Sequence, residues 1–321
     1  MRRPVPILLL AAIAASSTTS TAFAAVFGDG FERGRISDYF PSALPDGAGL
    51  SKSGEPGKGK CLAFRKGVTG DFRFALVPVE PNTKYRLTFR AKVDGEHVME
   101  KNFRFYFLQQ KASIVLWRWQ THFYGEGRND LKIRRQYPFL SLVSEKWKTY
   151  TDVFYTPPAA RYVQVMLTNK HHDGGARFDD FRLEPCTDEG SINCNPDFRY
   201  GELNYAGWAT VLVHDRAELL PQEDGSQIYD SGYGSRSENF PLTAGETYRV
   251  FVRGKPYDGY RWVRVFMYDD SRKRTGEVSM RGSPEGASKD FVAPAGTVMA
   301  AFTSHNHLLK EVRITRVEGP Q

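Results

Sequence analysis

The sequence predicts an all-β protein built from two tandem β-sandwich domains, and three observations support this class. Short segments that alternate apolar and polar residues, separated by Gly, Pro, Asn and Asp, dominate the chain. An internal repeat is present, since VPVEPNTKYRLTFRAK at 77–92 matches FPLTAGETYRVFVRGK at 240–255. The length of 321 residues suits two domains of ordinary size.

Other parts of the repeat recur in the same order along the chain. Three further pairs of segments match: FRFYFLQQ at 103–110 with VRVFMYDD at 263–270, FYTP at 154–157 with FVAP at 291–294, and GFERG at 30–34 with DFRYG at 197–201. The repeat predicts a first sandwich at 25–186 and a second sandwich at 187–321, joined near residue 190.

The first 24 residues are typical of a secretory signal peptide. Arg2 and Arg3 precede an apolar run at 7–15, and the small-residue pattern AFA follows at 22–24. The apolar run is shorter than the roughly 20 residues that a membrane-spanning helix needs. We therefore expect a secreted or periplasmic protein that begins near Ala25, with no membrane span and no nucleic-acid partner.

Charge is distributed unevenly between the two predicted domains. Residues 26–186 contain 26 Lys and Arg against 18 Asp and Glu, whereas residues 187–321 contain 16 against 19. A basic domain in an exported protein favours an acidic partner such as a uronic or sulfated polysaccharide, a cell-surface glycan or an anionic lipid. Solubility alone is the alternative explanation of this charge.

The three cysteines have different expected roles. Cys186 and Cys194 bracket a short polar segment between the predicted domains, and in an oxidising compartment we expect a disulfide that closes this loop. Cys61 lies in the apolar run CLAF at 61–64 and is expected to be a buried thiol.

Strand alternation separates inward from outward residues. It predicts that Tyr85, Leu87 and Phe89 face inward, as do Tyr248, Val250 and Val252 in the second copy. On the next strand of each copy the predicted inward residues are Phe103, Phe105 and Phe107, and Val263, Val265 and Met267. If neighbouring strands share a sheet, the outward residues form faces that mix arginines with aromatic rings, which are suited to glycans. An ordinary solvated sheet face is the alternative. The outward candidates for ligand binding are Arg86, Arg90, Arg104, Tyr106, Trp262, Arg264, Phe266 and Tyr268.

An aromatic and basic insert at 113–140 adds further candidates. Trp117 and Trp119 share one face by alternation, and that face is either ligand-binding or part of the core. Tyr124 is a third ligand candidate. His122, Tyr124 and Arg118 also offer the base and the cation that a polysaccharide lyase would need.

The chain resembles the carbohydrate-binding modules of families four, nine and twenty-two, which are galactose-binding-like jelly rolls. The resemblance rests on GFE at 30–32, YRLTFRAK at 85–92 and FDDFRL at 178–183. It implies a twisted sandwich that binds glycan on a sheet face or at loop tips.

The resemblance also implies a structural Ca²⁺ ion in the first domain. Its candidate ligands are Glu32 and Asp179, with Asp180 and Asp29 nearby, since Ca²⁺ prefers carboxylate and carbonyl oxygens. The second domain departs from this pattern, because Arg199 replaces the Glu and the Asp pair is replaced by Lys and Glu at 310–311. We expect no calcium there.

The sequence therefore predicts an exported, non-catalytic protein that binds polysaccharide through faces of aromatic and arginine side chains. Two alternatives stay open: a polysaccharide lyase or glycoside hydrolase acting on an acidic glycan, and a protein-binding module for adhesion or assembly.

Overall fold

The computed structural model describes residues 27–32, 40–54, 58–94, 117–132, 140–141, 144–169, 174–187, 189–200, 208–210, 218–232, 234–257 and 262–318. Within these ranges the chain forms strands, turns and irregular segments and no helix. No candidate for a membrane-spanning helix therefore occurs among them. The predicted all-β class is confirmed. The predicted signal peptide lies outside the described residues.

The first eleven strands form two antiparallel sheets. Sheet A has the strand order β2-β3-β11-β6-β9 with β1 added beside β11, and sheet B has the order β4-β10-β7-β8 with β5 beside β10. The strands are β1 (Phe27–Asp29), β2 (Ala48–Lys52), β3 (Lys60–Phe64), β4 (Gly70–Arg73), β5 (Val77–Pro78), β6 (Lys84–Val93), β7 (Arg118–Tyr124), β8 (Leu140–Ser141), β9 (Lys148–Tyr155), β10 (Tyr162–Asn169) and β11 (Ala176–Pro185).

The next eleven strands form a second pair of antiparallel sheets. Sheet C has the order β12-β15-β21-β18-β19 with β16 beside β21, and sheet D has the order β13-β14-β22-β17-β20. The strands are β12 (Trp208–Thr210), β13 (Glu218–Pro221), β14 (Gln227–Asp230), β15 (Ser235–Ser237), β16 (Phe240–Pro241), β17 (Thr247–Pro256), β18 (Val263–Tyr268), β19 (Arg274–Met280), β20 (Ala287–Val292), β21 (Met299–Ser304) and β22 (His307–Arg316).

Each pair of sheets encloses its own hydrophobic core. The strand period of two places every second side chain in these cores. The inward residues predicted from alternation that the structure describes are buried: Tyr85, Leu87, Phe89, Tyr248, Val250, Val252, Val263, Val265 and Met267. The other three, Phe103, Phe105 and Phe107, lie outside the described residues. The structure thus confirms two β-sandwiches, one after the other along the chain.

The internal repeat extends to the register of strand pairing. In the first sandwich Pro78 lies opposite Tyr162, and in the second the repeated proline Pro241 lies opposite Met299. Turn contacts also repeat, because the Tyr85 hydroxyl accepts the backbone N–H of Glu80 at 3.0 Å, as Tyr248 does from Thr243 at 2.8 Å. Positions along β10 and β21 can therefore be matched residue by residue.

One part of the sequence repeat is corrected by the sheet order. β18 lies beside β21 in sheet C, and the strand in the corresponding place beside β10 in sheet B is β7. The counterpart of β18 is thus residues 118–124, not the segment 103–110 that the sequence comparison paired with it. Residues 103–110 lie outside the described residues.

Candidate functional site

The outer face of sheet C carries a row of aromatic side chains. Val263, Val265 and Met267 point into the core, so Arg264, Phe266 and Tyr268 point the other way. Trp262 directly precedes this strand. All four outward side chains are half-buried, which leaves part of each accessible to a ligand. This is the face that alternation predicted for the second domain.

Each ring of this row has an arginine over it. The guanidinium carbons of Arg281, Arg274 and Arg236 lie 4.8, 4.4 and 5.2 Å from the ring centroids of Trp262, Phe266 and Tyr268. These distances are typical of cation–π interactions. Arg274 lies on β19, Arg281 directly follows β19, and Arg236 lies on β15. The sequence of β18 alone therefore did not identify these arginines.

The hydrogen bonds of these arginines leave the face with excess positive charge. Arg264 and Arg274 share one carboxylate, that of Glu277 on β19. Arg236 instead donates to neutral groups, the Tyr268 hydroxyl and the Asn239 side-chain oxygen, each at 3.2 Å. The guanidinium groups are therefore only partly neutralised by the described carboxylates.

Three polar atoms in one row across this sheet lack hydrogen-bond partners among the described residues. They are the Nε atoms of Arg236 and Arg264 and the Oγ1 atom of Thr303. Arg264 Nε lies 3.5 Å from Glu277 Oε1, which is an ion-pair contact but not a hydrogen bond. Thr303 on β21 lies directly between the two arginines, opposite Arg236 on one side and Arg264 on the other. Buried polar groups are usually satisfied, so this row has hydrogen-bonding capacity that the surrounding protein does not use.

The first sandwich carries a related pair of side chains on sheet B. Tyr124 lies opposite Tyr162, just as Tyr268 lies opposite Met299, so the two tyrosines occupy matching positions. By the same register Arg73 matches Arg236. An arginine–tyrosine pair across the central strand is thus common to both sandwiches.

The environment of Tyr124 bears on the lyase alternative. Its hydroxyl donates to the Gln164 side-chain oxygen at 2.8 Å, and burial raises the pKa of the phenol. A phenol with a raised pKa is a weaker base candidate at neutral pH, because less of it is ionised. His122 precedes it on the same face, opposite Gln164.

Trp117 and Trp119 lie in the core of the first sandwich, which corrects their assignment as ligand-binding residues. They are 0% and 2% exposed. Trp117 packs between Phe64 and Phe178 and donates its indole N–H to the Gly174 carbonyl at 3.2 Å. A side chain with no exposed surface cannot contact a glycan without partial unfolding.

The outward residues of the two repeated strands do not share one face in the second sandwich, because β17 belongs to sheet D and β18 to sheet C. In the first sandwich Arg86 and Arg90 lie on β6 of sheet A. The Arg86 guanidinium forms an ion pair with the Glu184 carboxylate at 2.7 Å. The guanidinium carbon of Arg90 lies 5.5 Å from the ring centroid of Trp147. The remaining candidates, Arg104 and Tyr106, lie outside the described residues.

The three predicted calcium ligands come close together around Gly30. A Cβ at Gly30 would lie 3.3 Å from Asp180 Oδ1, 3.6 Å from Asp179 Oδ1 and 3.9 Å from Glu32 Cγ. Asp179 is 1% exposed, its Oδ2 has no hydrogen-bond partner among the described residues, and burial raises its pKa to about 6. These properties suit a carboxylate whose charge a cation would stabilise.

The other two carboxylates are already engaged by the protein. Both Glu32 oxygens accept backbone N–H groups of Gly59 and Lys60, and Asp180 Oδ2 lies 2.8 Å from the ammonium of Lys58. No group of three His, Cys, Asp or Glu side chains in the described part of the chain has the arrangement of a metal site. Asp179 is well suited to bind calcium, whereas Glu32 and Asp180 are less suited because their oxygens already have partners. The calcium site stays a prediction.

Replacing Asp179 with Asn tests this site. With calcium bound, Asp179→Asn should remove most of the stabilisation that calcium gives the wild type, since a neutral amide is a poorer Ca²⁺ ligand. In EDTA the variant should be at least as stable as the wild type, because a desolvated charge is gone. Thermal midpoints with EDTA and with 1 mM (about physiological) calcium measure both effects. An equal rise of the thermal midpoint on adding calcium in the two proteins would contradict the assignment of Asp179 as a calcium ligand.

The two cysteines that bracket the junction lie in one small buried cluster. Cys186 and Cys194 pack with Val153, and Tyr155 and Tyr200 cover them. Both are present as thiols in the structure. The packing places them in one cluster, and the disulfide stays a prediction. Cys61 is buried, as expected, and burial raises its pKa.

Counting thiols tests the disulfide. Protein recovered from an oxidising compartment and unfolded in denaturant should show one thiol reactive with Ellman's reagent, that of Cys61, because the other two are joined. Reduction before unfolding should raise the count to three. Three reactive thiols without reduction would show that the disulfide is absent.

Comparisons with known proteins give structural neighbours only. No family model and no curated protein matches the chain. The N-terminal CBM22-1–CBM22-2 tandem domain of Xyn10C from Paenibacillus barcinonensis shares 10% identity at a TM-score of 0.37, covering 93% of this chain and 99% of that chain.

Single modules cover about half of this chain. A family 16 carbohydrate-binding module shares 15% identity at a TM-score of 0.33, covering 45% of this chain and 89% of that chain. The C-terminal family 22 carbohydrate-binding module of Clostridium thermocellum Xyn10B shares 14% identity at a TM-score of 0.32, covering 50% of this chain and 92% of that chain.

Proposed function

We propose that this chain is an exported, non-catalytic protein that binds acidic polysaccharide through the outer face of sheet C. The observation that carries the proposal is the row of half-buried rings at Trp262, Phe266 and Tyr268, each covered by an arginine. Rings supply apolar surface for the C–H faces of sugars, and guanidinium groups supply paired donors for carboxylates and sulfates.

The preference for an acidic glycan follows from the position of the arginines over the rings. A neutral sugar that stacks on a ring must first displace the guanidinium, which loses a cation–π interaction worth about 0.5–1 kcal/mol at an exposed site. An anionic sugar draws the same guanidinium toward its carboxylate or sulfate, so the new ion pair replaces the lost interaction. The face is therefore better suited to an anionic polymer than to a neutral one.

The wider charge distribution agrees with this preference only in part. The first half of the mature chain is basic and would attract an anionic polymer over a distance of several ångströms. The second half has more acidic than basic residues, so the positive charge on sheet C is a local feature of that face. We assign the contact to sheet C and the longer-range attraction to the first sandwich.

The competing lyase would use His122 and Tyr124 on sheet B. Its chemistry needs a base beside the sugar carbon that loses a proton, either a neutral histidine or an ionised tyrosine. The raised pKa of Tyr124 and its hydrogen bond to Gln164 favour a structural role for this hydroxyl instead. The protein-binding alternative would use the same rings on sheet C and is separated from glycan binding by experiment.

A panel of matched polysaccharides tests the proposal. The mature protein is presented with polygalacturonate and its fully methyl-esterified form, and with dextran sulfate and dextran, so that each pair differs in charge. Absorbance of unsaturated uronate is followed in the same wells. We expect binding to the charged member of a pair without product, weakened by salt because exposed ion pairs are screened.

Three results would contradict the proposal. Release of unsaturated product would make the protein a lyase. Equal binding to charged and neutral members would remove the role given to the arginines. Absence of binding to every glycan by protein with a cooperative unfolding transition would favour a protein partner.

A further inference from the structure

We infer that residues 186–187 and 189–200, here called the junction segment, lock the two sandwiches into one cooperative unit instead of linking them flexibly. Interdomain contacts within a chain are often mobile, so a fixed joint needs specific interactions. The junction segment has them on both sides. Its contacts to the first sandwich centre on Lys84 and Tyr155, and those to the second centre on β22.

The ammonium group of Lys84 is enclosed by the junction segment. Lys84 begins β6 of the first sandwich, and its side chain is 6% exposed. Its Nζ atom donates to Glu189 Oε2 at 2.8 Å, to the Ser191 carbonyl at 2.7 Å and to the Asn193 carbonyl at 2.9 Å. An ammonium has three N–H donors, so each has an acceptor.

Glu189, the partner of this ammonium, is also buried, and its side chain is 1% exposed. Its second carboxylate oxygen accepts the backbone N–H of Asn195 at 3.0 Å. A buried charge is tolerated when it is paired and hydrogen-bonded, and becomes strongly unfavourable when its partner is removed. The pair is thus satisfied only while the junction segment stays packed on β6.

Tyr155, at the end of β9, extends the contact. Its hydroxyl donates to the Ile192 carbonyl at 2.6 Å. The ring packs against the core of the second sandwich as well as against the cysteine cluster. One side chain of the first sandwich therefore contacts both the junction segment and the second core.

On its other side the junction segment bonds to β22 of the second sandwich. The backbone N–H of Ile192 donates to the Ile314 carbonyl at 2.8 Å, and the N–H of Val312 donates to the Pro196 carbonyl at 2.7 Å. The Asn193 side chain accepts from the Ile314 N–H at 3.0 Å and donates to the Val312 carbonyl at 2.8 Å. Asn193 thus accepts a hydrogen bond from the Lys84 ammonium through its backbone carbonyl and bonds to β22 through its side chain.

Because the same few residues bond to both sandwiches, the sandwiches cannot separate without breaking either the buried Lys84–Glu189 ion pair or the hydrogen bonds to β22. The structure therefore favours joint unfolding. It also holds the first sandwich in a fixed arrangement relative to sheet C, so that a polymer bound on sheet C passes the basic first sandwich at a set position. This last consequence rests on the proposed function, whereas the locking itself does not.

Calorimetry of the full chain tests the locking without any glycan. The variant Lys84→Met keeps the length of the side chain and removes its charge. The control Lys92→Met makes the same change on the same strand, where the Lys92 ammonium lies 3.8 Å from Asp94 in a partly exposed pair. We expect one transition for the wild type and for Lys92→Met. For Lys84→Met we expect two separated transitions, or a midpoint lower by roughly 10 °C.

Tyr155→Phe is the milder second variant if Lys84→Met does not fold. It removes the hydroxyl that bonds to Ile192 and keeps the ring, and should lower the midpoint by a few degrees, about 2–4 °C. Two separate transitions in the wild type would overturn the inference. So would midpoints for Lys84→Met and Tyr155→Phe that match that of Lys92→Met.

Discussion

Replacing Trp117 with alanine is expected to destabilise the protein by about 3–5 kcal/mol and to leave glycan affinity unchanged in the fraction that stays folded. The indole is fully buried among Phe64, Phe72 and Phe178, and its N–H bonds to the Gly174 carbonyl. The substitution therefore removes a large apolar side chain, leaves a cavity and leaves one carbonyl unsatisfied.

Urea unfolding of Trp117→Ala beside Trp147→Ala measures this effect. Trp147 is half-buried under Arg90, so its loss should cost much less than the loss of Trp117. The comparison decides between the two roles that the sequence left open for this residue. A Trp117→Ala protein with the stability of the wild type and weakened glycan binding would restore the ligand role and contradict the core assignment.

Replacing Trp262 or Phe266 with alanine is expected to weaken binding to acidic polysaccharide by about tenfold or more. Buried aromatic and arginine contacts at the centre of a binding surface commonly carry more than 1 kcal/mol each, and 1.4 kcal/mol corresponds to tenfold. The truncation also removes the surface on which Arg281 or Arg274 lies. Thermal midpoints should change little, because both rings are only half-buried.

Phe251→Ala is the matched control for these two variants. Phe251 lies on β17 of sheet D, where it points outward between Arg249 and Arg253 and is half-buried. It therefore reproduces the composition of the sheet C face on the opposite side of the same sandwich. Affinity for polygalacturonate should be retained in Phe251→Ala. Equal losses of affinity in the sheet C and sheet D variants would show that the weaker binding comes from reduced stability and not from lost contacts with the glycan.

The sequence predicted inward and outward residues well, because the strand period of two is a local property. Tyr85, Leu87 and Phe89 are buried for this reason, and so are Val263, Val265 and Met267. Which strands share a sheet is a non-local property that alternation does not contain. A shared outer face was expected only if the two repeated strands lie in one sheet, yet β17 belongs to sheet D and β18 to sheet C.

The candidate site was predicted in part for the same physical reason. Alternation on β18 found Arg264, Phe266 and Tyr268, because they lie on one strand. The arginines that cover the rings come from β15, from β19 and from the residue after it, so only the three-dimensional pairing of strands reveals them. The match between Tyr124 and Tyr268 likewise depends on strand register, not on sequence similarity.

The assignment of the glycan face to sheet C is tested most directly by paired charge removal on the two faces of the second sandwich. Arg264→Gln removes a charge from sheet C. Arg249→Gln removes one from sheet D, where Arg249 pairs with Asp290 at 2.7 Å. Affinity electrophoresis in gels containing polygalacturonate or dextran sulfate should show reduced retardation for Arg264→Gln and unchanged retardation for Arg249→Gln. Retardation that falls equally in both variants, or only in Arg249→Gln, would contradict the assignment.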